Sequence, residues 1–191
     1  MQYKLTTPCT AEDLAPLKAG DTVLLSGVVY TARDQAHKRM LEALDKGEKL
    51  PFDLEGSAIY YVGPTPERPG EIIGSAGPTT SGRMDAMSPR LLDLGNKIMI
   101  GKGKRDAAVK EAVVRNGAVY LAALGGAGAL MAQSVKTLEV IAWPDLGCEA
   151  VRRLTVEDMP LTVILDAHGG DLYLSGPEAY KRQQGEGAKE L

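Results

Sequence analysis

The feature that most constrains the fold is the alternation of short apolar runs with segments of helical periodicity. Strand-length runs occur at residues 22–30, 58–62, 71–73, 97–100 and 118–121. Between them, residues 31–46 and 106–115 have helical character; in the first, Ala36, Met40 and Leu44 recur at helical spacing. This alternation predicts an α/β fold with a mixed sheet and helices. Further strand-like runs at 3–5, 138–142, 151–156 and 161–165 predict a second, smaller sheet layer.

Length and composition exclude several classes of protein. With 191 residues, 44% of them hydrophobic, the chain can form one domain over residues 1–191, with a polar tail at 184–191 that we expect to fray. Its 22 basic and 25 acidic residues and its 5% aromatic content argue against a nucleic-acid-binding protein. No apolar run approaches the ~20 residues of a membrane span, and the start of the sequence lacks the apolar core of a signal peptide. We therefore expect a cytoplasmic protein.

The two cysteines, Cys9 and Cys148, lie far apart in the sequence and form no CxxC or Cys/His spacing. So few thiols predict neither a disulfide framework nor a complete metal site on this chain.

Basic loops follow three of the predicted strands. TARDQAHKR follows the run at 22–30, GPTTSGRMD follows 71–73, and GKGKRD follows 97–100. The carboxyl ends of strands carry ligands in open α/β sheets, and these loops contain Arg33, Arg83 and Lys102. Two arginines suit two separated carboxylates, because each guanidinium can hold one in a bidentate fork. The sequence therefore predicts a site for a small anion.

Each loop also has a structural interpretation. In GPTTSGRMD, Thr80 or Ser81 can cap a helix, and Asp85 suits its first turn. Arg33 and Asp34 can be a solvated pair on a helix.

Three further motifs also admit structural interpretations. His37 can be a satisfied helix histidine, or a base whose pKa the neighbouring cations lower. GKGKRD lacks the spacing of a phosphate-binding loop, and GGAGAL, at residues 125–130, favours a helix that packs closely against a neighbour.

The chain resembles a known family in five segments and in the order in which they occur. These segments are SGVVYTARDQAHKR, GPTTSGRMD, IGKG, GGAGAL and DLGCEAVRRLTVEDMPLTVILDAHGGDLY. The family is the β subunit of the class I, iron-sulfur fumarases and L-tartrate dehydratases, which is also the C-terminal domain of the single-chain class I fumarases. The resemblance covers about residues 5–180. It implies a three-layer β/β/α swivelling domain that closes over a [4Fe-4S] cluster. In the family a partner α subunit holds that cluster with three cysteines, and we expect a heterotetramer of two α and two β chains.

The resemblance also implies roles for individual residues. Thr79 falls on the proton-abstracting threonine, Lys102 on the active-site lysine, and Arg33 and Arg83 on the carboxylate-binding arginines; we assign Thr80 to substrate binding. The implied reaction is the reversible hydration of fumarate to L-malate by the two-chain enzyme. The alternatives are L-tartrate dehydration to oxaloacetate, or a non-catalytic anion-binding module.

Overall fold

The computed structural model describes residues 1–123 and 126–187, with side chains up to residue 182. Within these residues the strands are β1 Gln2–Thr6, β2 Thr22–Thr31, β3 Ala58–Tyr60, β4 Ile98–Gly101, β5 Val119–Ala122, β6 Val135–Ala142 and β7 Val151–Leu165. The α-helices are α1 Ala11–Leu14, α2 Asp34–Asp45, α3 Ser88–Asp93, α4 Ala107–Arg115, α5 Gly128–Gln133 and α6 Leu172–Gly187. Two 3-10 helices span Ser81–Met84 and Pro144–Glu149.

The strands form one mixed sheet in the order β1-β2-β3-β4-β5-β7-β6. β2, β3, β4 and β5 run parallel to one another, whereas β7 is antiparallel to β5, β6 and β2. Because β7 pairs with both β5 and β2, five strands close into a ring. The predicted α/β class with a mixed sheet and helices is confirmed.

Side-chain alternation along the central strands produces two hydrophobic cores. On β4, Ile98 and Ile100 face a core shared with β2 and β7, whereas Met99 faces a core shared with α2, α3 and α4. β5 divides in the same way, with Leu121 in the first core and Tyr120 in the second. Strands buried on both faces read as continuous apolar runs, which is why β3, β4 and β5 show no polar alternation in the sequence. The central strands therefore pack on both faces, against other strands on one side and helices on the other. The second, smaller sheet predicted from the runs at 3–5, 138–142, 151–156 and 161–165 is not separate, because β1, β6 and β7 pair within the same sheet.

Some predicted strands differ from the observed ones. The runs at 151–156 and 161–165 belong to the single strand β7, in which Pro160 is paired opposite Leu24. Residues 71–73 form no strand, because Ile73 enters the core from a loop while Ile72 is about half exposed. Pro89 lies in the first turn of α3, where its missing N–H is not needed.

Helix α6 was not predicted. Pro177 lies within it, and its mean hydropathy is low, so the segment lacks the apolar periodicity that identifies a helix in sequence. The expected fraying of residues 184–191 stays a prediction, because 188–191 lie outside the described residues. In the part of the chain that the structure describes, no helix is both long and apolar enough to cross a membrane.

Candidate functional site

The predicted basic loops meet at one edge of the sheet. β2, β3 and β4 are parallel neighbours, and Thr31, Tyr60 and Ile100 lie in register across them. The segments that leave these strands therefore emerge side by side. GPTTSGRMD reaches this edge from the long loop after β3, and not from a strand at 71–73 as predicted.

Arg33 is the N-cap residue of α2, and its side chain is 19% exposed. Its Nη2 lies 3.4 Å from Glu149 Oε1 and 3.6 Å from Asp34 Oδ2. The side chain lies over Gly63, where the methyl group of an alanine would stand 3.0 Å from Nη1. The absence of a side chain at position 63 thus gives this guanidinium its space.

Arg83 is joined to Arg33 through a shared carboxylate. Its Nε lies 2.8 Å from Asp34 Oδ1, and its side chain is 54% exposed. Asp34 therefore stands between the two predicted carboxylate-binding arginines, and the interpretation of Arg33 and Asp34 as a solvated pair is too simple. Glu149, on the second 3-10 helix, was not identified from sequence as a site residue, since it is 116 positions from Arg33.

Thr79 and Thr80 lie on backbone that is bonded on both sides. The Thr79 amide donates to the Tyr61 carbonyl oxygen at 2.8 Å, just beyond β3. Thr80 is bridged in parallel to Lys102, just beyond β4. Thr79 is partly buried, whereas the Thr80 and Lys102 side chains are exposed. The segment behaves as a short strand inserted between the ends of two others, which fixes where both hydroxyl groups are presented.

Gly128, the first residue of α5, packs closely against the start of this loop segment. A methyl group on Gly128 would stand 2.2 Å from Ser75 Oγ and 3.0 Å from the Gly77 nitrogen, and the Gly128 carbonyl accepts from the Ala76 amide at 3.0 Å. The close packing predicted for GGAGAL is therefore confirmed at Gly128, while Gly125 lies outside the described residues.

The predicted helix caps in GPTTSGRMD are wrong. Thr80 is the N-cap residue of a 3-10 helix of four residues, but its side chain makes no capping hydrogen bond. Ser81 Oγ instead accepts from the Lys102 amide at 3.0 Å and is bonded to the Tyr120 hydroxyl at 2.9 Å. Partners contributed by distant strands thus replace the local cap that the motif suggested.

Asp85 is likewise not a first-turn residue of a helix. It accepts from Arg105 Nε at 2.6 Å and from the Asp106 amide at 2.7 Å. Arg105 is fully buried between the rings of Tyr61 and Tyr120, at 5.3 and 5.0 Å from their centroids. This buried ion pair lies beneath the loops of the site and ties GPTTSGRMD to the loop after β4.

His37 is completely buried and cannot contact a ligand directly. Its Nδ1 lies 3.0 Å from the Arg33 carbonyl oxygen, so Nδ1 carries the proton and Nε2 is an acceptor without a partner. Burial lowers the pKa of His37 to about 4, and the Arg105 charge adds a smaller effect in the same direction. The predicted direction of the shift is right, but its main cause is burial rather than the neighbouring cations of the helix.

Among residues 1–123 and 126–182, no group of three or more His, Cys, Asp or Glu side chains could hold a metal ion. Cys9 is buried with its Sγ 3.4 Å from the Thr6 carbonyl oxygen, and burial raises the pKa of its thiol to about 11. A protonated, buried thiol is a poor metal ligand. Exposed Cys148 is then a single thiol, too few for an iron-sulfur cluster.

Two cavities flank the long loop after β3. One of about 570 Å³ lies between residues 65–75 and α5, and the other, of about 430 Å³, lies between residues 64–67 and β6. Neither is lined by Arg33, Thr79, Arg83 or Lys102.

Comparisons with known proteins identify a family and several relatives. The family model described as Fumarase C-terminus matches residues 1–176. The chain is 42% identical to the putative L(+)-tartrate dehydratase subunit beta of Methanocaldococcus jannaschii, over 86% of this chain and 87% of that protein. It is 32% identical to L(+)-tartrate dehydratase subunit beta of Escherichia coli, over 96% and 92%. It is 39% identical to fumarate hydratase 2 of Leishmania major over 85% of this chain, but spans only 29% of that protein.

Proposed function

The chain belongs to the Fumarase C-terminus family, and we propose that it is the β subunit of a two-chain hydro-lyase that reversibly hydrates fumarate to L-malate. The observation that carries this proposal is the meeting of Arg33 and Arg83 at one carboxylate, beside the clamped Thr79 and Lys102 segments. Two guanidiniums held near each other, one mostly buried and one about half exposed, suit a small dicarboxylate.

Each site residue has a physical role in this proposal. Arg33 and Arg83 bind the substrate carboxylates and orient the carbon-bound hydrogen toward Thr79, while Thr80 contributes a further polar contact. Thr79 accepts the proton from carbon. A threonine hydroxyl is a weak base at its ordinary pKa, and the Lys102 ammonium favours the ionised form and the negative charge that develops as the C–H bond breaks.

The expected [4Fe-4S] cluster belongs, in this proposal, to the partner α subunit. The two cysteines of this chain do not form a ligand set for it. The chemistry that such a cluster supplies when bound is Lewis-acid activation of the leaving hydroxyl group. We further propose that the enzyme is a heterotetramer of two α and two β chains in the cytoplasm, and that this chain is inactive alone.

L-tartrate is the second candidate substrate. The two relatives that this chain covers almost end to end are named as beta subunits of L(+)-tartrate dehydratase, which favours this substrate as the alternative. Tartrate differs from malate by one hydroxyl group. A pocket that hydrogen-bonds this group would discriminate strongly between the two.

The test is anaerobic co-expression with a partner that carries three spaced cysteines, followed by assays with malate, fumarate and tartrate. We expect turnover by the complex and none by this chain purified alone, which should be colourless and free of iron and sulfide. Stoichiometric iron and sulfide on the chain alone would contradict the two-chain proposal. Dicarboxylate binding without turnover by the complex would favour a non-catalytic anion-binding module.

A further inference from the structure

A row of alternating charges crosses the candidate site. Glu149, Arg33, Asp34 and Arg83 follow one another, with contacts of 3.4, 3.6 and 2.8 Å between successive partners. Asp34 is the member that contacts both arginines. Since Arg33 and Arg83 come from separate loops, this carboxylate links them directly across the edge of the sheet.

The first turn of α2 also contains polar atoms that the fold leaves unsatisfied. Among the described side chains, the buried nitrogen and oxygen atoms without a hydrogen-bond partner are Arg33 Nε, Asp34 Oδ2 and His37 Nε2. Asp34 Oδ2 has the Arg33 ion pair at 3.6 Å, but a buried carboxylate oxygen without a hydrogen bond is still destabilising. Native proteins tolerate such atoms where they serve a function, so the placement of Asp34 is better explained by the site than by stability.

The ion pair with Asp34 determines which edge of Arg83 remains available. Asp34 Oδ1 contacts Arg83 at Nε, and the guanidinium is otherwise largely exposed. A guanidinium offers a carboxylate either its Nε side or its terminal pair of nitrogens. With the Nε side facing Asp34, the terminal Nη1 and Nη2 atoms are left for a ligand.

We propose that Asp34 is a positioning residue that fixes the spacing of Arg33 and Arg83 and turns the terminal nitrogens of Arg83 toward a substrate carboxylate. This inference rests on the proposed function, because it assigns both arginines to one dicarboxylate. Asp34 itself does not touch the substrate; it acts through the two arginines.

A second ion pair on the same helix serves as a matched comparison. Arg39 Nη1 and Nη2 contact both oxygens of Asp145 at 2.9 and 2.5 Å, and this pair also joins α2 to the second 3-10 helix. Both oxygens of Asp145 are bonded, and its side chain is 61% exposed. Asp145 thus has the features of an ordinary surface pair, which contributes little to stability.

The experiment compares Asp34→Asn with Asp145→Asn in the assembled two-chain enzyme. For Asp34→Asn we expect KM and the Kd of succinate, which can be neither hydrated nor dehydrated, to rise about tenfold, as for a weakened charged contact. The value of kcat should change by less than about threefold, because the chemical groups remain in place. Asp145→Asn should change neither constant. In an Arg83→Lys background, Asp34→Asn should raise Kd by less than about twofold, since the arginine it positions is absent.

A lower melting temperature with unchanged KM and succinate affinity would overturn the inference and leave Asp34 a structural residue. Equal losses in the wild-type and Arg83→Lys backgrounds would overturn it as well. Crystal structures of the chain alone provide a measurement independent of activity: the Arg83 guanidinium should contact Asp34 in the wild type and leave that place in Asp34→Ala. An Arg83 that keeps its place in Asp34→Ala would contradict the positioning role. Succinate binding without turnover in the wild-type complex would refute the proposed reaction alone, whereas absence of succinate binding would refute both.

Discussion

Ser81 Oγ occupies the space where a side chain on Gly101 would be: a methyl group at position 101 would stand 1.9 Å from that oxygen. Gly101 is the last residue of β4, and Ser81 begins the 3-10 helix that follows Thr79 and Thr80. The contact explains why the threonine segment can lie against the end of β4, with its hydrogen bonds to Lys102.

Gly101→Ala should therefore destabilise the chain and disturb the site together. We expect the free energy of unfolding to fall by about 1–3 kcal/mol, the usual effect of overpacking, and measure it by urea denaturation. Gly82→Ala is the control, since its methyl group would meet the nearest atom at an ordinary 3.5 Å. Adding Ser81→Ala should restore part of the loss by removing the clashing oxygen; two additive losses would show that the contact is not the cause.

Thr79→Val keeps the β-branched shape and removes only the hydroxyl group. Because the Thr79 contact that the structure shows is through its backbone amide, we expect little change in melting temperature. Turnover by the assembled enzyme should fall by roughly a hundredfold or more, the usual scale for a lost general base. Thr137→Val, on β6, is the control, as its hydroxyl is bonded to Thr155. Wild-type exchange of the C3 proton of malate with solvent in Thr79→Val would refute this assignment.

Arg33→Lys and Arg83→Lys should each weaken binding of a dicarboxylate inhibitor by about 1.5–3 kcal/mol, because an ammonium cannot form a bidentate fork. Calorimetry on the assembled enzyme measures this. The two variants should differ in stability: Arg33 is packed over Gly63 and mostly buried, whereas Arg83 is half exposed. Arg33→Lys should lower the melting temperature and Arg83→Lys should not. Unchanged inhibitor affinity in both variants would remove these residues from the site.

His37 should make stability depend on pH. Its folded pKa of about 4 lies below its ordinary value of 6.5, so the unfolded chain binds a proton that the folded chain excludes. Neutral His37 does not reduce the free energy of unfolding above pH 6.5. As the pH falls from 6.5 toward 4, this free energy should decrease by on the order of 3 kcal/mol. In urea titrations, His37→Asn should lose this part of the dependence, and its amide can still donate to the Arg33 carbonyl. His168→Gln, at an exposed position, should retain it; an identical loss in both variants would exclude His37 as the source.

The sequence predicts the elements that local pattern determines and misses the contacts made across the fold. The capping interpretation of Ser81 failed because its partners, Lys102 and Tyr120, follow it by 21 and 39 residues. Glu149 was missed for the same reason. Parallel strands align their carboxyl ends, so the strand order accounts for Arg33 and Lys102, which follow β2 and β4. Thr79 and Arg83 reach the same edge from the long loop after β3, which the sequence did not predict. The contact of Asp34 with both arginines could not be predicted, because the sequence equally allowed Arg33 and Asp34 to form a solvated pair.

Strand β7 pairs with both β2 and β5, and this closure of the sheet limits how the strands can move relative to one another. The pairing of β2 with β7 runs from Thr22↔Thr162 to Thr31↔Arg152, with a bulge at Leu25/Gly27. Sliding β2 past β7 would break this ladder of hydrogen bonds, a loss much larger than thermal energy. The segments that carry Arg33 and Lys102 thus leave one hydrogen-bonded sheet side by side. In the proposed two-chain enzyme, a closing motion over the partner would therefore move them together.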